Sequence, residues 1–226
     1  MIRYSRIEKG LRREFVLLQG LGCRWRKCTF CDYHLDTSGD PYEVNRAVLE
    51  LVSGDFGVLD VINSGSAMEL DERTVDLIAS IVVEKGIQDL WFEAHWMYRN
   101  RLADFASRFP CRVHFRTGVE SFSGQLRTAW RKGIGEDVTP QEVRRYFEGV
   151  CLLVGVEGQS REDVLSSIRI AEDSFDYYSV NLFCPNSTSV RRDEELSRWA
   201  KATLPGLLAQ STKAELLLEN TDLGVG

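Results

Sequence analysis

No run of apolar residues in this sequence approaches the roughly 20 needed to cross a bilayer. The charged opening MIRYSRIEKGLRREF holds no apolar stretch of the secretory kind. A cytoplasmic location away from membranes is therefore expected, where thiols stay reduced. A basic excess is missing too. The formal net charge is −6, from 28 Lys and Arg against 34 Asp and Glu, whereas a domain that grips a nucleic-acid backbone usually carries clustered positive charge. The short basic stretches (Arg12-Arg13, Arg24 to Lys27, Arg144-Arg145, Arg191-Arg192) are scattered and read as solvated faces or small-anion contacts. A small-molecule partner, and no nucleic acid, is the expectation. Proline is scarce, and there is no repeat, linker or low-complexity segment. A composition 43% hydrophobic and 27% charged excludes disordered, collagen-like and disulfide-scaffold chains. At 226 residues, one domain spanning 1–226 is the default.

What is present is an alternation of short apolar runs and amphipathic stretches. Strands are expected at 14–20, 58–66, 89–95, 112–121, 149–158, 177–183 and 214–220. Helices are expected at 42–54, 71–86, 99–109, 123–148 with a break, 160–173, and from RDEELSRWAKATLPG, stopped by Pro205-Gly206. Asp71 and Gly86 read as the two caps of the second helix. Such β-α repetition predicts parallel strands with right-handed crossovers. No GxGxxG follows the first strand, and polar residues stand at the C-terminal end of nearly every strand. An open or incomplete (β/α) barrel is thereby favoured over a doubly wound sheet.

Half of the six cysteines fall in GCRWRKCTFCDYH, spaced C-x4-C-x2-C at Cys23, Cys28 and Cys31. The compartment and the odd count disfavour a disulfide. Zinc is a rival, because His34 is placed to complete a tetrahedron with three thiolates. However, the triplet interrupts the path from a strand to a helix instead of forming its own small module. Three thiolates on one loop also suit a four-iron cluster with one iron left open. Cys111, Cys151 and Cys184 read as small buried hydrophobes.

With these residues in view, the chain resembles the radical S-adenosylmethionine (SAM) enzymes. The resemblance covers about 14–184. It rests on the cysteine loop with its flanking aromatics Phe30 and Tyr33, on INSGSAM (62–68), on FEAH (92–95), on RTGVES (116–121) followed by LRTAWRKG, and on LLVGVEGQSREDV (152–164). The loop departs from the family's usual C-x3-C-x2-C by one residue in its first gap. The resemblance implies an α/β fold of the partial (β/α)6-like barrel type, with the segment 190–226 closing the barrel. It also implies a [4Fe-4S] cluster on Cys23, Cys28 and Cys31, with SAM cleaved to a 5′-deoxyadenosyl radical. SAM contacts would come from Tyr33, Asn63, Ser64, Gly65, Glu93, Arg116, Gly118 and Gly155. The acids Glu93 and Glu120 and His95 would be catalytic, while His34, His95, Tyr98, Glu120 and Asn181 would face substrate. Bland readings stand beside these roles: Tyr33 as a core aromatic, Ser64-Gly65-Ser66 as a plain turn, His95 as a satisfied core histidine. The tail ENTDLGVG reads as disordered unless it folds over the barrel mouth.

Within the superfamily, the small acidic body is similar to the branch acting on 7-deazaguanine compounds, the queuine lyases in particular. That similarity implies release of queuine from queuosine or its 5′-monophosphate in queuosine salvage, and an electron donor such as flavodoxin or ferredoxin. Two alternatives are retained: a radical SAM enzyme modifying tRNA or a peptide, and a zinc-stabilised binding module.

Overall fold

A computed structural model describes residues 1–226. The chain forms two compact units. The first comprises 1–26, 33–116 and 223–226; the second comprises 27–32 and 117–222.

In the first unit, β1 (Tyr4–Ile7) lies antiparallel to β2 (Arg13–Leu18). Then β3 (Val58–Asn63), β4 (Asp89–Glu93) and β5 (Arg112–Glu120) follow in parallel, each on its predecessor. The connecting helices are α1 (Pro41–Leu49), α2 (Glu72–Lys85) and the short α3 (Leu102–Ala106). Both expected caps of α2 are present. Asp71 accepts a hydrogen bond from the Thr74 amide at 3.0 Å, and Gly86 closes the helix in the left-handed region at φ 65°.

Register divides the polar from the apolar. Paired residues of parallel strands point to one face, so Phe15, Asp60, Trp91 and His114 share a side, with Glu93 and Arg116 two residues further on. The other side carries Phe92 and Phe115, which pack on Phe105 of α3 and on Phe109 with ring centroids 5.3 to 6.4 Å apart. The helix-covered face is thus apolar, and the polar groups are concentrated on the opposite face.

In the second unit β5 ends at Glu120. After it come α4 (Gly124–Ala129), α5 (Pro140–Arg144), β6 (Gly149–Val154), α6 (Arg161–Ser174), β7 (Tyr177–Leu182), α7 (Glu194–Leu208) and β8 (Ala214–Leu217). β6, β7 and β8 pair in parallel. Every residue of β6 is buried, as a parallel strand covered on both faces requires.

Four expectations need correction. Pro205 does not stop the last helix: α7 continues to Leu208, because Leu204 and Leu208 keep its apolar face buried. The break in 123–148 is a long loop, organised by the buried Arg127 guanidinium. It donates to the carbonyls of Gly135, Glu136 and Val138 at 2.9, 3.3 and 3.0 Å, and burial pushes its pKa below the usual arginine range. The tail is ordered, since Gly226 exchanges both backbone hydrogen bonds with Ile2 alongside β1, a strand that periodicity did not reveal. Of the three remaining cysteines only Cys151 is buried; Cys111 and Cys184 are half-buried.

Candidate active site

On the polar face of the first unit, Asp60 is wholly buried between two arginines. Its Oδ2 accepts from Arg13 Nε at 2.8 Å and from Arg116 Nη1 at 2.9 Å, and its Oδ1 accepts from Arg116 Nη2 at 2.8 Å. A buried carboxylate is tolerated only when so satisfied. The remaining edge of Arg116 approaches Glu93, Nε to Oε2, at 3.8 Å. The Glu93 carboxylate thus lies near that arginine, beyond hydrogen-bond distance, and its side chain remains 38% exposed.

A second polar centre in this unit is the turn after β3. The Ser64 hydroxyl accepts from the Gly20 amide at 2.9 Å, and the Asn63 side chain donates to the Ser66 carbonyl at 3.2 Å. Ser66 Oγ accepts from the His95 amide at 3.0 Å. Gly65 suits the close approach here, because a Cβ would collide with Glu69 Oε2 and lie 3.3 Å from Cys23 Cα. At the centre stands Glu69, 5% exposed. Its Oε1 accepts from the Arg24 amide and from the Tyr98 hydroxyl, each at 2.8 Å, and its Oε2 accepts from the Ser66 amide at 2.6 Å. Burial, reinforced by the hydrogen bond to Glu69, pushes the Tyr98 pKa up to about 12. The His95 ring stacks on Trp25 of the cysteine loop, centroids 5.0 Å apart, and its Nδ1 accepts from the Met97 amide at 3.2 Å.

Past the loop, Asp36 anchors the chain to the strands. It takes both Arg3 guanidinium nitrogens, at 2.6 and 2.9 Å, and the Gln19 amide at 2.8 Å. Burial raises its pKa, but these hydrogen bonds and the Arg3 charge outweigh it, so the carboxyl titrates below the usual aspartate range.

In the second unit, Phe30 packs with Trp130, Leu153, Val156 and Phe183, and Cys28 and Cys31 lie against that cluster. Lys132 Nζ stands 5.8 Å from the Phe30 centroid and donates to Glu120 Oε1 at 2.8 Å; each side chain of this pair is only 10% exposed. Glu120 holds a left-handed φ of 62°, which is uncommon for a non-glycine residue. Gly118 is needed beside it, since a Cβ there would come within 2.9 Å of Lys132 Nζ and closer still to Glu120. Asn186 donates to the Phe30 carbonyl at 2.7 Å and Asp32 accepts from Ser187 at 2.9 and 2.8 Å, tying the segment after β7 to the cysteine loop.

No protein-family model and no curated protein matches the chain. Among solved structures, it is similar to a queuine lyase from Clostridium spiroforme bound to SAM and queuine. The two are 37% identical with a TM-score of 0.95, over 100% of this chain and 99% of the other. The chain belongs to the queuine lyase family of radical SAM enzymes. Its fold is accordingly the α/β, partial (β/α)-barrel type that the motifs implied.

For this queuine lyase relative, the expected residues separate into groups. Asn63, Ser64, Gly65, His95 and Tyr98 converge around Glu69 in one unit. Glu93 and Arg116 meet on the polar sheet face there, Arg116 chiefly held by Asp60. Tyr33, 66% exposed, is no core aromatic; it opens the short 3-10 turn that also carries the half-buried His34. In the other unit Gly118 and Glu120 are neighbours, and Gly155 is buried with its amide on Gln159 Oε1 at 3.0 Å. The Asn181 side chain donates to Ser179 Oγ at 3.2 Å. Sequence reasoning missed Asp60, Glu69 and Lys132. For Glu69 a signal existed: Ser66-x-x-Glu69 has the capping-box pattern, and its carboxylate does accept from the Ser66 amide.

Proposed function

We propose that the chain is a queuine lyase, releasing queuine from queuosine or queuosine 5′-monophosphate with the help of SAM and a [4Fe-4S] cluster. The observation that carries this reading is the 37% identity, over the full length of both chains, to a queuine lyase bound to SAM and queuine.

The residues present fit a cluster on Cys23, Cys28 and Cys31. All three cysteines are half-buried and in no disulfide, Cys28 and Cys31 are seated on apolar side chains, and Gly65 leaves Cys23 the space a side chain would take. Thiolates on a loop with an apolar flank are the donor set that such clusters use. When bound, the cluster and SAM supply the one-electron chemistry for hydrogen abstraction.

The chain's own residues position the reactants. The turn Asn63-Ser64-Gly65 and Glu93 are offered to the charged end of SAM, with Tyr33, Arg116, Gly118 and Gly155 completing the assigned contacts. His95, whose Nδ1 accepts from the Met97 amide at 3.2 Å, is assigned to the substrate side, where a proton on Nε2 would make it a donor. His34 and Asn181 stand as further substrate contacts. Tyr98 commits its hydroxyl to Glu69 and therefore holds substrate by its ring edge at most. Carboxylates accept from the amide and amino edge of guanine-like bases, the role assigned to Glu120. An acidic chain suits a free 7-deazaguanine nucleoside or nucleotide, with a flavodoxin or ferredoxin as reductant, in the cytoplasm. No helix is long and apolar enough to cross a membrane.

The test is anaerobic reconstitution with iron and sulfide, followed by incubation with SAM, reductant and queuosine 5′-monophosphate or queuosine. Queuine in the product supports the assignment. Cleavage of SAM with no base released from either compound overturns the substrate, and zinc bound in place of iron overturns the chemistry.

A further inference from the structure

The first gap of the cysteine loop holds four residues, Arg24 to Lys27, one more than is usual in the superfamily. The structure shows how the start of this longer gap is held. Arg26 takes a left-handed φ of 46° and Gly22 one of 92°, so the chain turns sharply on both sides of Cys23. Trp25 lies flat on His95, 5.0 Å between centroids with the planes 20° apart. Leu21 and Arg24, which flank Gly22-Cys23, are bound to one partner. The Leu21 amide donates to the Glu69 backbone carbonyl at 2.8 Å, and the Arg24 amide donates to the Glu69 carboxylate at 2.8 Å. That carboxylate also accepts from Ser66 and Tyr98, and through Ser66 it reaches the His95 amide.

We infer that Glu69 is a positioning residue. Its carboxylate, steadied by Tyr98, clamps the enlarged cysteine gap to the Ser64–Ser66 turn and so fixes where Cys23 and the SAM-binding turn present themselves. This rests on the radical SAM reading of that loop. The chemistry is specific to a carboxylate. Three donors converge on two oxygens: the Ser66 amide and the Tyr98 hydroxyl in buried bonds, and the Arg24 amide in a part-buried one. Ionised acceptors make the shorter and stronger hydrogen bonds, and a partly satisfied buried network is costly. Glutamine has one carbonyl oxygen, so E69Q would turn its amino group toward either Arg24 N–H or Ser66 N–H.

Two measurements test the clamp, with Y98F as the milder variant should E69Q fold poorly. The first is limited trypsin digestion of the metal-free full-length chain, following cleavage after Arg24, Arg26 and Lys27 by mass spectrometry. Loss of a charge-assisted bond should speed these cuts about tenfold in E69Q and about threefold in Y98F. The second is the paramagnetic resonance spectrum of the reconstituted, reduced protein titrated with SAM, whose half-saturating concentration should rise about tenfold in E69Q. A core variant in β4, L90A, controls for lowered stability. If E69Q and Y98F are cut within about twofold of the wild-type rate, or no faster than L90A at matched fraction unfolded, the clamp is refuted. A wild-type protein that takes up no cluster would instead sink the functional reading, and the digestion of metal-free chain would still decide the role of Glu69.

Discussion

Glu93 and Glu120 each end a strand on a polar face, and each has a cation as partner, yet their situations differ. Glu93 is 38% exposed and touches Arg116 at 3.8 Å, an arginine already bound bidentately by Asp60. Glu120 is 10% exposed, bonded to Lys132 at 2.8 Å, and sits on a left-handed backbone. One carboxylate is partly open to solvent with its arginine beyond hydrogen-bond distance; the other is nearly enclosed and directly bonded to its lysine. Availability is set by what surrounds a carboxylate, since identical groups differ widely in pKa and reactivity with burial and partners.

The comparison can be broken most forcibly through the buried charges beneath Glu93. Replacing Asp60 by Ala strands Arg13 and Arg116, and a loss of about 3–5 kcal/mol is expected by urea denaturation. Adding R13M should restore part of it, and a loss below about 1 kcal/mol would show that the arginines reach water. In the second unit, K132M leaves Glu120 without its ion-pair partner beside apolar Phe30. A loss of about 2–3 kcal/mol by urea denaturation is expected, because a nearly enclosed carboxylate loses its hydrogen-bonded cation. A loss below about 0.5 kcal/mol would mean the pair is not what balances Glu120. The smallest stability effect belongs to E93Q, under about 0.5 kcal/mol, with a SAM affinity of the reconstituted protein at least about tenfold weaker by calorimetry. A large stability loss with unchanged affinity would reverse the contrast between the two acids.

Much was legible beforehand because it is local. The caps of α2, the strand–helix alternation and the apolar continuity of β6 depend on residues close in sequence, and periodicity reads them directly. The cysteine spacing is likewise a feature of nine consecutive positions. Other features depend on pairs far apart: Arg24 and Glu69 are separated by 45 positions, and Arg116 and Asp60 by 56. No propensity encodes such contacts. β1 is four residues without a clear alternation, and its order comes from pairing with β2 and with the final residues. Pro205 carries a breaker signal that the burial of Leu204 and Leu208 overrides.

The order of elements, the thiol-bearing loop and the small-residue turn after β3 were determined by the sequence itself, because turn chemistry, periodicity and metal-ligand spacing act over a few residues. How far each carboxylate is exposed, how closely its cation approaches, and which one holds the loop were decided only by tertiary structure. The charge state and hydrogen-bond capacity of a buried group belong to its neighbours in space, and those neighbours exist only once the chain has folded.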